Sequence, residues 1–335
     1  MNMKADFYRL IVLAVFLTYG LCPAMAEESK KFKVLVVMSY EEAMPWVIDI
    51  KGGIDSALSK TCEIRYAYMN TRNDFEGGKE KARQIYALYQ EFQPDGVIAA
   101  DDDAQVLFVV PYLKDKVKTP VIFCGVNKEP ETYGYPASNV SGILERIHFA
   151  ESIAFLQQIV PSVKTIAYLM GDNPTSKGYY QQIEKEKEGY SAKSAAFKFV
   201  KTLDEAVAAA NELKAQSDAV FIENITGIKD KNDKPLTEQE AIPILAKACG
   251  KPTMGANISI IKFGLLCAVV KTGQEQGETS ANMLLRAMKG TPVSQIPITR
   301  NHNGKRMINT TALKELGIKP RPDILGGAEL VRTEN

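Results

Sequence analysis

Three consecutive carboxylates, Asp101, Asp102 and Asp103, close a short apolar run at 97–100, and Glu223-Asn224 closes a second run at 219–222. Carboxylates at strand ends can hold the ammonium group of a small ligand; alternatively, Asp101 with Asp103 could bind magnesium or supply a phosphotransfer nucleophile. Hydroxyl, amide and aromatic groups stand at comparable places. Ser39, Tyr40 and Trp46, the only tryptophan, follow the first apolar run, and Asn127 follows the fourth. Asp172, Asn173 and Thr175 lie in a polar loop, and Asn257 follows the run at 252–256. That inventory suits an amine-bearing, aromatic ligand, with carboxylates for the amine and rings for the apolar body. Each residue also has a plainer reading as a helix cap or loop bond. By position, Asp102 or Asp103 should cap the helix that follows, and Trp46 could equally pack in a core.

Catalysis finds less support. The chain has only two histidines, His148 and His302, so a serine or cysteine triad has few possible bases. The segment GDNPTSKG at 171–178 has the outline of a phosphate loop, but Ser176 stands where the second glycine is required and Gly178 where the hydroxyl is required. No CxxC or Cys/His spacing suggests zinc, and no metal or cofactor is expected.

The elements that position these residues alternate between strand and helix. FKVLVVM at 32–38 reads as a central strand, 63–69 as a second, 97–100 as a third and 121–125 as a fourth, with amphipathic helices between them. A βαβ unit spans 94–127, and ligands of open α/β sheets bind beyond the carboxyl ends of the strands. The rhythm breaks at 133–139 and restarts with strands at 165–170, 195–200, 219–222 and 252–256. The fold class expected is α/β, two doubly wound parallel-sheet lobes.

Lys+Arg 41 against Asp+Glu 40 leaves no charge bias, and lysines alternate with acids along the helices, which argues against nucleic-acid binding. Lys4 and Arg9, the apolar run at 10–17 and Ala24-Met25-Ala26 read as a signal peptide over residues 1–26, cleaved after Ala26. The run is shorter than the ~20 residues that span a bilayer, and Leu21 does not suit a lipobox at Cys22. The expectation is a soluble periplasmic protein. Cys62, Cys124, Cys249 and Cys267 remain; Cys124 and Cys267 sit in apolar runs, where buried thiols are expected over bridges.

SNVSGI at 138–143 resembles the crossover after the first lobe of type I periplasmic binding proteins. KPTMGANISIIKFGLLCAVVKTGQEQGETSANMLLRAMKGTPVSQIPI at 251–298 is similar to their closing segment. The family resembled is that of ABC-transporter substrate-binding proteins, which includes aromatic-amino-acid binders, over nearly all of 33–298. The resemblance implies a three-crossing hinge near 140–144, 262–270 and 295–298. The first lobe would comprise 27–142 and 270–296, and the second 143–269 and 297–335. It also implies a monomer that captures a small molecule and presents it to an ABC permease, with a sensor kinase as the alternative partner. The chain departs from the family at Asp101–Asp103, where small or hydroxyl residues are usual, at Glu223-Asn224-Ile225, and in the polar segment 229–234. Those departures fall at strand ends, so the ligand is open.

Overall fold

The computed structural model describes residues 31–334 apart from Asn73, so the expected signal peptide lies outside the described residues. Strands β1 (Phe32–Met38), β2 (Cys62–Tyr68), β3 (Gly96–Ala100), β4 (Val121–Val126) and β5 (Val140–Leu144) fill the first half. Then follow β6 (Thr165–Gly171), β7 (Lys193–Val200), β8 (Ala219–Glu223), β9 (Thr253–Met254) and β10 (Cys267–Val270). The end of the chain adds β11 (Thr299–Arg300), β12 (Lys305–Asn309) and β13 (Glu329–Val331).

One sheet has the order β11-β5-β4-β3-β1-β2 and the other β13-β12-β10-β9-β8-β6-β7. Every pairing is parallel except that of β10 with β12. Parallel strands covered on both faces read as continuous apolar runs, as β3, β4 and β8 do. Alternate residues of β1 serve opposite layers. Val34, Val36 and Met38 pack with helices α1 (Pro45–Leu58) and α9 (Gly273–Met288), while Leu35 and Val37 pack with α2 (Phe75–Phe92) and its neighbours. In the second sheet Ile166, Tyr168 and Met170 face α4 (Phe149–Ile159). Ala167 and Leu169 face α6 (Leu203–Gln216) and α7 (Glu238–Cys249). Between these come α3 (Asp101–Ala104), which runs into a π-helical segment at Gln105–Leu113, and α5 (Pro174–Glu186). Short helices α8 (Ile258–Lys262), α10 (Thr310–Glu315) and α11 (Pro322–Gly326) complete the set.

Strand pairing places the three passages between sheets later than the sequence suggested. Residues 140–144 lie wholly in the first sheet as β5, residues 267–270 in the second as β10, and 299–300 return to the first as β11. The passages are therefore 145–148, 271–272 and 301–304. Residues 143–144 and 299–300, expected in the second lobe, pair in the first sheet. Backbone hydrogen bonds decide membership here, and the apolar pattern of a strand does not say which sheet it joins. Asn301 ties two passages: its Oδ1 accepts the Arg146 N–H at 2.7 Å and its Nδ2 contacts His148 Nε2 at 2.9 Å.

Candidate functional site

Each sheet reverses its winding at one crevice, between β1 and β3 in the first and between β6 and β8 in the second. The residues immediately after β3 and β8 adopt the same unusual backbone, with Asp101 at φ +69° and Asn224 at φ +54°. Left-handed backbone at a non-glycine residue is tolerated best by Asp and Asn, and it redirects the chain into a helix or loop at the crevice.

On the first side, Ser39 is fully buried: its hydroxyl donates to the Ala100 carbonyl at 2.6 Å and accepts the Ala104 N–H at 2.9 Å. Ser39 thus caps α3, the role expected of Asp102 or Asp103. Asp101 is buried, and its Oδ1 accepts from Trp46 Nε1 at 2.8 Å while Oδ2 has no hydrogen-bond partner among the described residues. Burial pushes its carboxyl well above the usual range; the Trp46 bond opposes this, and Glu145, Asp102 and Asp103 add to it. Gly125 leaves room for it, since a Cβ there would lie 2.6 Å from Asp101 Oδ1. Asp102 turns to the neighbouring loop, accepting the N–H groups of Asn127 and Lys128 at 3.1 and 3.2 Å and the Tyr133 hydroxyl at 2.5 Å. Asp103 makes no hydrogen bond or ion pair among the described residues. Tyr40 stands among these acids, and its hydroxyl resists ionisation through burial first, then through Asp101, Asp103, Asp102 and Glu145.

On the second side, Glu223 is fully buried and accepts from the Ala256 N–H at 2.7 Å and from Asn257 Nδ2. Burial lifts its pKa to about 7, against the Ala256 bond. Asp172 is held by Lys177 at 3.1 Å and Lys201 at 3.4 Å, and Asn173 caps α5 by accepting the Ser176 N–H. Thr175 is exposed on the first turn of that helix.

A cleft of about 600 Å³ lies between these sides. Of the residues expected from sequence, Asp102, Asn127 and Thr175 line it; the others stand behind its walls or serve their own loops. Among the lining residues not anticipated are Glu145 and Arg146 from the first passage and Tyr179 from α5. Glu145 pairs with Lys271 of the second passage, and its other oxygen accepts from Asn127 Nδ2 at 3.3 Å. Burial pulls the Lys271 pKa down, but Glu145, Tyr179 and Glu223 more than offset it and hold the ammonium charged. Arg146 donates to the carbonyls of Val126, Asn127 and Glu145 and faces Glu129 at 3.4 Å. A charged residue directly after an apolar strand is the available signal for Glu145 and Lys271, each one residue beyond the hinge ranges the resemblance implied. Among the described residues, Cys62, Cys124, Cys249 and Cys267 are buried and none is joined in a disulfide. Among the described residues, no group of three or more His, Cys, Asp or Glu side chains could hold a metal ion.

The family described as ABC transporter substrate binding protein matches residues 35–331. No curated protein matches the chain. Among solved structures, the ligand-free, open form of a substrate binding protein with adhesive properties from Clostridium difficile is 18% identical, at TM-score 0.69, covering 90% of this chain and 100% of that one. An ABC domain in complex with L-Trp from Streptococcus pneumonia is 20% identical at TM-score 0.53, again covering 90% and 100%. A conserved domain protein from Vibrio cholerae is 18% identical at TM-score 0.52, with the same coverage. At these identities the likeness is one of fold.

Proposed function

Because the chain belongs to the ABC transporter substrate-binding protein family, we propose that it is an exported periplasmic protein that captures a small molecule in the cleft and hands it to an ABC permease. The ligand proposed is an amino acid or related amine-bearing compound. The observation that carries this reading is the acidic wall of the first side, where Asp102 and Glu145 line the cleft and Asp101, bonded to Trp46, stands behind them with Asp103 and Tyr40. The cleft is lined from both halves, by loop residues such as Asp102 and Asn127 on one side and by α5 on the other, so a bound molecule would gain contacts on closure that neither half offers alone.

The test is a thermal-shift screen on protein recovered from the periplasmic fraction, its intact mass checked against a chain starting at Glu27. The panel comprises amino acids, amines, nucleobases and small carboxylates, each with and without chelator. A true ligand at a hundredfold excess over Kd should add ~2.7 kcal/mol of stability. Stabilisation by amine-bearing compounds alone, unaffected by chelator, supports the reading. Stabilisation confined to nucleobases or simple carboxylates contradicts the amine assignment, and a lipid-modified N-terminus at Cys22 contradicts the soluble periplasmic form.

A further inference from the structure

Directly before the third passage stands an arginine whose ionic partners belong to the other half. Arg300 ends β11, the edge strand of the first sheet, and pairs there with Leu144 of β5. Its guanidinium crosses over. Nη2 donates to Glu151 Oε1 of α4 at 3.4 Å, and Nη1 stands 3.8 Å from Glu186 Oε1 at the end of α5. Both helices pack on the second sheet, through Phe149, Ile153 and Leu156 of α4 and Ile183 of α5. The three side chains are only 23–27% exposed, so water and salt screen them less than they screen the exposed pair of Lys185 with Glu129.

Glu186 ties this arginine to the cleft. Its carboxylate accepts from Gln182 Nε2 at 3.2 Å, one turn back on the same helix, and from the Tyr190 hydroxyl at 3.3 Å. Gln182 lines the cleft, as do Thr175, Gly178 and Tyr179 of α5. The cleft wall of the second half is thus held at its far end by a residue of the first sheet. Glu151 gathers further groups at the passages, standing 3.4 Å from His148 Nδ1 and 3.9 Å from His302 Nδ1. His148 in turn meets Asn301, the residue after Arg300, and a Cβ at Gly304 would lie 2.9 Å from the His148 ring. A guanidinium suits this place, because its planar fork of donors can serve carboxylates from two helices at once, which a single ammonium does less well.

We infer that Arg300 is a positioning residue for the cleft: through Glu186 and Glu151 it fixes the angle at which α5 faces the first half, and so the width of the cleft before any ligand enters. Its contacts lie beside the passages, where they set the resting position of the halves without barring hinge motion. This setting does not depend on what the cleft binds.

A distance measured across the cleft tests it. Spin labels at Glu131→Cys, in the connection between β4 and β5, and at Glu184→Cys, on α5, sit on exposed positions of opposite halves, whereas Cys62, Cys124, Cys249 and Cys267 are buried. Pulsed electron resonance on the ligand-free protein should give a longer mean distance in Arg300→Met than in the labelled parent, by more than about 2 Å, with a broader distribution. Arg300→Lys should recover part of the shift, since one ammonium can still meet one of the two carboxylates. Glu186→Gln should move the distance the same way by less, and should add little to Arg300→Met, as partners in one network do. An unchanged distance in Arg300→Met, with only the melting temperature lowered, marks a purely structural role and overturns the inference. So does a shift that Arg300→Lys fails to reduce. If Arg300→Met folds poorly, Glu186→Gln decides alone, and no shift there is equally fatal. No ligand enters the measurement, so failure of the amine reading would leave this result standing, and the reverse holds as well.

Discussion

Glu223 joins β8 to the loop at Ala256 and Asn257, and the fold shifts its carboxyl from an ordinary 4.5 up to about 7 by burying it. Between those values the folded protein binds a proton that the unfolded chain releases. The stabilising contribution is therefore complete below about pH 4.5 and is lost as pH rises through 7, a difference of about 3 kcal/mol. Glu223→Gln, which mimics the protonated acid, should remove that decline. Urea unfolding of both proteins at pH 5 and pH 8 checks it: the variant should gain on the wild type at the higher pH, and a constant difference across the range contradicts the assignment. Asp101, also buried and also raised, slopes in the same direction and remains in both proteins, so the comparison isolates Glu223.

Helices α1 and α9 meet through glycine. A Cβ at Gly277 would lie 2.0 Å from the Ile50 carbonyl oxygen, and one at Gly53 would lie 2.2 Å from that of Gln274. The two backbones touch, which lets α9, though it follows β10 of the second sheet, cover the first sheet beside α1. Gln276 on α9 then reaches the switch region, accepting the Gly125 N–H at 2.8 Å and donating to the Leu144 carbonyl at 3.2 Å. Gly277→Ala should cost about 3 kcal/mol or more, because two packed backbones have no flexible side chain to yield. Gly52→Ala, one residue from Gly53 but with nothing within 4 Å of its added Cβ, should instead stabilise by about 0.5–1 kcal/mol. Denaturation midpoints of the two variants check both signs, and similar values would refute the close-packing account.

Across the molecule the halves are linked by the three passages and by side-chain bonds over the cleft. Lys185 of α5 contacts Glu129 at 2.9 Å, and Gln182 exchanges hydrogen bonds with the backbone of Ile147. Lys185, with Arg146 beside it, holds the Glu129 carboxyl below its ordinary range, yet Lys185 and Glu129 are solvent-exposed and a single such pair contributes little. The passages are therefore expected to bend when a ligand adds contacts on both sides. Small-angle scattering at saturation with a compound that passes the thermal-shift screen should give a smaller radius of gyration than the free protein. A scattering curve unchanged on binding would contradict hinge closure.

The pattern of residues by itself determined β1 to β4 and β6 to β8 and most of the longer helices, whereas β11, β12 and β13 were not anticipated. Continuous apolar runs such as VLVV and VIAA can be buried only on both faces of a parallel sheet, and that requirement is local. It likewise placed Asp101 and Glu223 at strand ends, because a strand that stops at a polar residue announces its own end; the strand expected at 252–256 is only Thr253–Met254, and Asn257 instead precedes α8. What each of those groups does was decided by tertiary structure. Ser39 became the cap of α3, Asp102 turned to the loop at Asn127, and Asp172 met two lysines, since each side chain bonds to the partner the fold brings nearest. The passages shifted to 145–148, 271–272 and 301–304 because sheet membership follows hydrogen bonding between strands that are distant in the chain. Glu145 and Lys271 lie 126 residues apart; only the return of the chain through the second passage sets them side by side, and no local pattern of polarity or periodicity carries that distance.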